Sequence, residues 1–445
     1  MKIYLGLLFF LLLNLNAQNF PKQLSLSEAT SFALENNPDI INAKREIDKA
    51  YKEKWKTIAT GLPQVKANFD YTNFLEMPVS LIPAQFFGGK EGDFAEVSFG
   101  TEQNLVGSAR ITQMIFDGSY IVGVKATETY LEVSDNALQK TNIEVRKSVY
   151  IAYLNTLLSK ENISILDKNI RNLEDTLDEA KKIFENGFSE QQSVEQLKIT
   201  LSELKSKRKF AYQFNLFSKD ILKISLGYKI EDELALTSSI ESIIDYQVLE
   251  IPLIESWDFN SNIDIKIANT NVQYKRLEYK LEQSKSLPTL STFISGAYTG
   301  NNNSFLFNKQ NQKWFGSALF GVNLKVPIFS SFGRSASSQM AKISYEQSKT
   351  KLETLEKQIK VSVKNAKANY ELGLDDFYTT KSNVKLAESI ERKNQIKFSQ
   401  GMVSSFELRQ AQTQLYAAQN KYLNALQNLA SKKIEFETLL NITTK

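Results

Sequence analysis

No proline lies between Pro83 and Pro252, and none follows Pro327. Proline removes a backbone donor and clashes with the preceding turn, so these two intervals are free to form very long helices. Apolar spacing uses that freedom. Leu166, Ile170, Leu173, Leu177, Ala180 and Phe184 alternate steps of four and three. Val194, Leu197, Leu201 and Leu204 do the same, before a shifted register at Phe210, Phe214, Phe217, Ile221 and Ile224. Leu408, Ala411, Leu415, Ala418, Tyr422, Ala425 and Leu429 form a third stripe. A single heptad suits any helical core, but three sustained stripes predict coiled-coil seams. A helix from about Ser119 to Glu185 would be roughly 100 Å long, beyond the width of a globular domain.

Four segments carry a different period. In Val65-Lys66-Ala67-Asn68-Phe69-Asp70-Tyr71-Thr72, odd positions are apolar and even positions polar. Glu102, Asn104, Ser108, Arg110 and Thr112 alternate with Gln103, Leu105, Gly107, Ala109 and Ile111. The pattern weakens from Leu290 to Tyr298, then Phe320, Val322, Leu324 and Val326 alternate with Gly321, Asn323 and Lys325. Period two with a polar second face fits a half-buried soluble sheet or a membrane barrel with lipid outside and water inside. Two hairpins, each inserted between long helices, favour the barrel. Lys66, Asp70, Asn323 and Lys325 then fall on the lumen side.

Composition removes much of the catalytic menu. The chain of 445 residues has no Cys and no His. That excludes thiol nucleophiles, disulfides, imidazole bases and nearly all zinc, haem and iron–sulfur sites. Carboxylates remain, but they stand on helix faces with lysines nearby, as in Glu353 and Lys357, which reads as solvated pairing. No enzyme and no cofactor are expected. Lys+Arg 54 against Asp+Glu 50 is too balanced to suggest nucleic acid as a partner. Lys2, the apolar run Ile3 to Leu13 and the small Ala17 before Gln18 predict a cleavable signal peptide over residues 1–17. An exported chain whose later segments never reach 18 uninterrupted apolar residues must enter a membrane as strands.

The mature chain repeats itself. Leu62-Pro63 recurs as Leu287-Pro288, Ile115-Phe116-Asp117-Gly118 as Ile328-Phe329-Ser330-Ser331, and Phe184-Glu185-Asn186-Gly187 as Phe398-Ser399-Gln400-Gly401. These pairs are 225, 213 and 214 residues apart, so the first hairpin has the longer loop, roughly Phe74 to Val97. Residues 18–226 form one repeat, with a hairpin at about 62–117 and a turn near 187. A linker over 227–259 joins it to the second repeat, residues 260–445, with a hairpin at about 287–329 and a turn near 401. Gly187 and Gly401 suit the turns because Gly accepts positive φ at no steric cost. Four strands cannot close a barrel, and unpaired edges are excluded from lipid. The chain must pool strands with copies of itself, two giving eight and three giving twelve.

This order of elements resembles the TolC family of outer-membrane efflux proteins along essentially the whole mature chain. Leu24-Ser25-Leu26-Ser27-Glu28-Ala29 with Ala33-Leu34-Glu35-Asn36-Asn37-Pro38 is similar to the family's first-helix signature. The Phe116-Asp117-Gly118 turn, and Gly401 followed by Phe406-Glu407-Leu408-Arg409-Gln410-Ala411-Gln412, add to it. The resemblance implies a mixed α+β homotrimer in the outer membrane of a Gram-negative cell. Its long α-helical coiled-coil barrel would join a transmembrane β-barrel of four strands per chain. It implies a duct for small molecules or polypeptides in tripartite efflux or type I secretion. Its partners would be a periplasmic adaptor protein and, through it, an inner-membrane pump of the RND or ABC type. Glu407 would take the first acidic position of the periplasmic entrance and Gln410 the second; alternatively Glu407 is a solvated surface carboxylate. The family's gate Tyr corresponds to Phe398 and its locking Arg to Val403, so a lock must use other contacts, such as packing of Phe184 with Phe398. Gly187, Ser189, Gly401 and Ser404 would sit at the tips where adaptors dock. The competing reading, a periplasmic adaptor scaffold, predicts one helical hairpin and often a lipidated Cys. This chain has two hairpins and no Cys.

Overall fold

The computed structural model describes residues 21–243 and 257–441; the expected signal peptide and part of the expected linker lie outside them. The first half contains β1 (Gln23–Leu24), α1 (Leu26–Asn36), α2 (Pro38–Ala59), β2 (Gln64–Asn73), β3 (Val79–Pro83), β4 (Phe94–Ser98), β5 (Gln103–Asp117), α3 (Gly118–Glu185) and α4 (Gln191–Leu226). The second contains β6 (Ala235–Leu236), α5 (Ile240–Ile243), α6 (Ile263–Ser284), β7 (Thr289–Asn302), β8 (Trp314–Lys325), α7 (Gly333–Ser399) and α8 (Ser405–Leu440). The chain divides into two units. One comprises residues 1–44, 137–265 and 355–445, and the other 45–136 and 266–354. No described helix is long and apolar enough to cross a membrane.

The second unit is built on an antiparallel sheet ordered β2-β5-β7-β8, so the two hairpins join through β5 and β7. Directly opposite residues of an antiparallel sheet share a face. Val65, Ala67 and Phe69 stand opposite Ile111, Ala109 and Gly107, which stand opposite Ile294, Gly296 and Tyr298. Phe320, Ala318 and Gly316 complete these rows. This face is apolar. The other carries Lys66, Asn68 and Asp70 with Arg110, Ser108, Asn323 and Lys325. The weak alternation of β7 has a local cause: Phe293 lies on the polar face, where Arg110 stacks over its ring at 3.7 Å and the ring fills the space above Gly321. A bulge between Met114 and Phe116 ends the regular register. The first hairpin loop is structured rather than open, because β3 and β4 pair within it around a 3-10 turn over Ala84–Phe87.

The other unit is helical, and its core follows the predicted stripes in part. Leu166, Ile170, Leu173, Leu177 and Ala180 pack with Val194, Leu197, Leu204 and Leu408. The shifted register of α4 does not: Phe210, Phe214, Phe217, Ile221 and Ile224 are exposed. The buried face there is Ala211, Asn215, Ser218 and Leu222. Asn215 Nδ2 donates to Thr156 O (3.1 Å) and Ser159 Oγ (2.7 Å), so small and polar side chains draw α3 and α4 together. The described part of the expected linker, up to Ile243, also joins a core. β6 pairs in parallel with β1, and buried Tyr153 donates to Leu24 O (2.9 Å) while accepting from Ser238 N (3.2 Å).

The repeat extends to individual hydrogen bonds. Asn37 Nδ2 donates to Ser225 O (2.8 Å) near the end of α4 while its Oδ1 accepts from Asp39 N (2.8 Å). Asn262 does the same to Leu439 O (2.9 Å) and Asp264 N (2.9 Å). Each asparagine ties a helix start to the carbonyl end of a neighbour. Left-handed residues cap the partner helices, Gly227 (φ 84°) and Asn441 (φ 54°). Replacing Asn37 or Asn262 by Ala strands a buried carbonyl and an N-terminal amide, and each should cost about 1–3 kcal/mol. Thermal unfolding of the detergent-solubilised variants checks this. Losses below about 0.5 kcal/mol at both sites would mean that the paired bonds contribute nothing to stability.

Candidate functional site

The helical unit ends α3 and α7 in two turns that are copies of each other. Gly187 N donates to Phe184 O (2.8 Å) and Phe188 N to Ile183 O (3.0 Å). Gly401 N donates to Phe398 O (2.9 Å) and Met402 N to Lys397 O (2.8 Å). Both glycines are left-handed, at φ 80° and 68°, which a Cβ would strain. Ser405 Oγ hydrogen-bonds Ser193 Oγ (2.8 Å), holding the starts of α8 and α4 side by side. The residues following each glycine point outward: Phe188 is 84% exposed, and Met402 and Phe406 are also exposed. Sequence reasoning singled out Ser189 and Ser404 here and passed over the large apolar neighbours, although Gly187-Phe188 and Gly401-Met402 already showed an apolar residue after each turn glycine. Ser189 is partly buried with its hydroxyl unpaired, and Ser404 is exposed.

Ser404 and Glu407 form a capping box. Ser404 Oγ accepts from Glu407 N (3.3 Å), and the Glu407 carboxylate accepts from Ser404 N (3.3 Å). The carboxylate therefore closes the start of α8. The Ser-x-x-Glu spacing was legible in the sequence and was missed there. Gln410 is exposed one turn further on. Phe398 is buried against Leu408 in the helical core, with Val403 packed beside it, whereas Phe184 is partly exposed. The expected packing of Phe184 with Phe398 is thus not made within one chain: among the described residues no ring contact joins them, because Phe398 is already committed to the core.

Above this turn sits a polar group that the sequence did not flag. Glu391 on α7 is only 6% exposed, and neither side-chain atom of buried Gln412 on α8 makes a well-formed hydrogen bond. Burial pushes the Glu391 carboxyl above its ordinary value of 4.5, opposed by the neighbouring Gln412 amide. Burial also raises Tyr416, and the Glu391 charge adds to that. The packed form binds the proton more tightly than the open form. Stability of this packing is therefore fully present below the ordinary value, declines as pH rises toward the raised one, and is level above it. Hydrogen exchange over 384–416 between about pH 4 and pH 8, corrected for intrinsic rates, should show protection falling with pH in the native protein and staying flat in Glu391→Gln. Parallel profiles in the two proteins would dismiss the titration.

In the sheet unit, the polar face places Lys66 directly opposite Arg110 and Asp70 opposite Val106. Asn323 stands opposite Ser291 and Lys325 opposite Thr289. The charged side chains of these rows share one face, which also carries Val106 and Leu319. Tyr71, Phe305, Phe307 and Trp314 gather at one end of the apolar face, with ring centroids 5.7 Å apart for Tyr71 and Phe305 and 6.3 Å for Phe307 and Trp314.

Long paired helices and a two-faced four-stranded sheet are the elements expected of a TolC-type outer-membrane protein. The family model described as outer membrane efflux protein matches residues 259–441. None of the curated proteins matches the sequence. Among solved structures, the chain is similar to CusC, with a TM-score of 0.74 at 17% identity over 94% of this chain and 92% of that one. VceC from Vibrio cholerae gives 0.69 at 14% identity over 93% and 95% of the two chains. The CmeC outer membrane channel of Campylobacter jejuni gives 0.69 at 14% over 93% and 85%. At these identities the likeness is one of fold. The family match lies in the second half of the chain, and with it the TolC-family resemblance holds. The periplasmic adaptor reading finds no support.

Proposed function

We propose that the chain is one protomer of an outer-membrane efflux duct, closed as a homotrimer of twelve strands and performing no bond chemistry. The sheet carries this reading. One face is apolar through four strands, and β2 and β8 each leave an edge unpaired within the chain. Bare amides in lipid cost several kcal/mol each, so the edges pair with those of other copies. The 12 residues of β8, at about 3.3 Å each and a tilt near 40°, project onto roughly 30 Å, the thickness of a hydrocarbon core. The exposed stripe Phe210, Phe214, Phe217, Ile221 and Ile224 gives a second copy an apolar surface to cover.

The duct takes small molecules or polypeptides delivered by an inner-membrane pump of the RND or ABC type through a periplasmic adaptor. It lies in the outer membrane of a Gram-negative cell and is exported by a cleaved signal peptide. The two structural repeats, 18–226 and 260–445, supply equivalent helices and hairpins around the linker 227–259. Adaptors dock on the turns at Gly187, Ser189, Gly401 and Ser404, with Phe188, Met402 and Phe406 as apolar anchors. Gate packing rests on Phe184, Phe398 and Val403, and the entrance on Glu407 and Gln410.

The absence of Cys permits direct tests. Single cysteines at 66, 68 and 70 should react with water-soluble thiol reagents in the reconstituted protein, while those at 65, 67 and 69 stay protected by lipid. The opposite pattern would invert the barrel. For the entrance, Glu407→Gln removes the charge yet keeps a residue that completes a capping box. Trimer stability should hold while the reversal potential under a salt gradient shifts away from cation preference. An unchanged potential would leave Glu407 as a helix cap only.

A further inference from the structure

The turn joining β8 to α7 is built differently from its counterpart in the first repeat. There, Asp117 ends β5 and caps α3 directly, its carboxylate accepting from Ser119 N (2.7 Å) and Tyr120 N (3.2 Å). In the second repeat, Ser331 and Phe332 intervene in left-handed conformations, at φ 48° and 65°. For a bulky aromatic residue this is a true outlier, a strained backbone. The result is exposure. Ile328 is 90%, Phe329 74% and Phe332 78% exposed, with the two rings edge to face at 6.0 Å.

These side chains continue an existing surface. Phe320, Val322 and Leu324 lie on the apolar face of the sheet, and Val326 and Ile328 extend the same period past the end of β8. Ile328, Phe329 and Phe332 also form one wall of a cleft of about 410 Å³, whose polar lining includes Ser286, Ser330 and Arg334. Arg334 donates one guanidinium N–H to Pro327 O (3.0 Å), and no described carboxylate pairs with it. An apolar prow beside a guanidinium with no described carboxylate partner matches the boundary of a phospholipid leaflet, acyl chains on one side and phosphates on the other.

We propose that this turn is a phospholipid anchor: Ile328, Phe329 and Phe332 enter the acyl region while Arg334 pairs with a headgroup phosphate. The proposal rests on the reading of the sheet's apolar face as lipid-facing. Single cysteines in the full, naturally Cys-free chain, spin-labelled and reconstituted in phosphatidylglycerol–phosphatidylcholine vesicles, test both. Collision with oxygen reports lipid, and collision with a water-soluble nickel complex reports solvent. Labels at Ile328→Cys and Phe332→Cys should favour oxygen, as should Val322→Cys, while Lys325→Cys favours nickel. Arg334→Gln should lower the oxygen-to-nickel ratio at the Phe332→Cys label severalfold, and Arg334→Lys, which keeps the charge, should restore most of it. If Val322→Cys reads as lipid but Phe332→Cys reads as solvent, the anchor is wrong and the sheet reading stands. A nickel reading at Val322→Cys would overturn both. Shielding of Phe332→Cys from both agents would place a second copy there and overturn the anchor.

Discussion

An antiparallel sheet satisfies its backbone only where a neighbour supplies the other half of each hydrogen bond. Here β2 and β8 have a neighbour on one side alone, and their outer amides belong to a sheet whose face is apolar. In water such edges are a liability that charge and proline usually blunt. In lipid they are forbidden unless the sheet closes. Because four strands are too few, the proposed barrel needs more than one copy. On the same reading, a chain rich in long helices keeps two hairpins because they are the part that meets hydrocarbon.

The helices answer a different constraint. Segments of 68 and 67 residues cannot be stabilised by propensity alone and need a packed face along their length. Leu173, Leu197, Leu408 and Leu429 supply such faces as expected of heptad leucines, but the interface also uses reciprocal polar contacts. Asn169 Nδ2 donates to Gln419 Oε1 (2.7 Å), and Asn215 bridges to Thr156 and Ser159. Such pairs fix register where leucines alone would slide, because slipping by a turn would bury unpaired amides.

Much of this was legible in the sequence because two periods, 3.5 and 2, dominate it. Proline-free intervals gave the helix extents, and turn glycines gave the reversals, since only a left-handed residue closes those turns without strain. What periodicity could not see were exceptions with a partner far away in sequence. Phe293 breaks the alternation of β7 because Arg110 and Gly321 accommodate its ring. Phe210 and its successors keep a perfect apolar period yet face outward, because Asn215 and Ala211 make the intrachain contact. A stripe tells that a face will be covered, not by what. Glu391 was invisible for a related reason. On a helix rich in charge, nothing local marks Glu391 as the carboxylate that packs beside Gln412.

The repeats show where the two halves of the chain are held to one design and where they are free. Asn37 and Asn262 make the same two hydrogen bonds at equivalent helix starts, and the turns at Gly187 and Gly401 share both backbone bonds. These positions satisfy buried backbone groups, so any departure strands a donor or an acceptor. The strand-to-helix turns are exposed, and there the halves part. A carboxylate cap at Asp117 is replaced by Ser330, whose hydroxyl accepts from Arg334 N at 3.4 Å, followed by two residues in a strained backbone. Without the acid the cap is weaker, and no described carboxylate pairs with Arg334. Strain of this kind persists only where the surroundings hold it or where something outside the chain offsets it. On the reading proposed above, acyl chains and a headgroup phosphate against its outer surface supply that compensation.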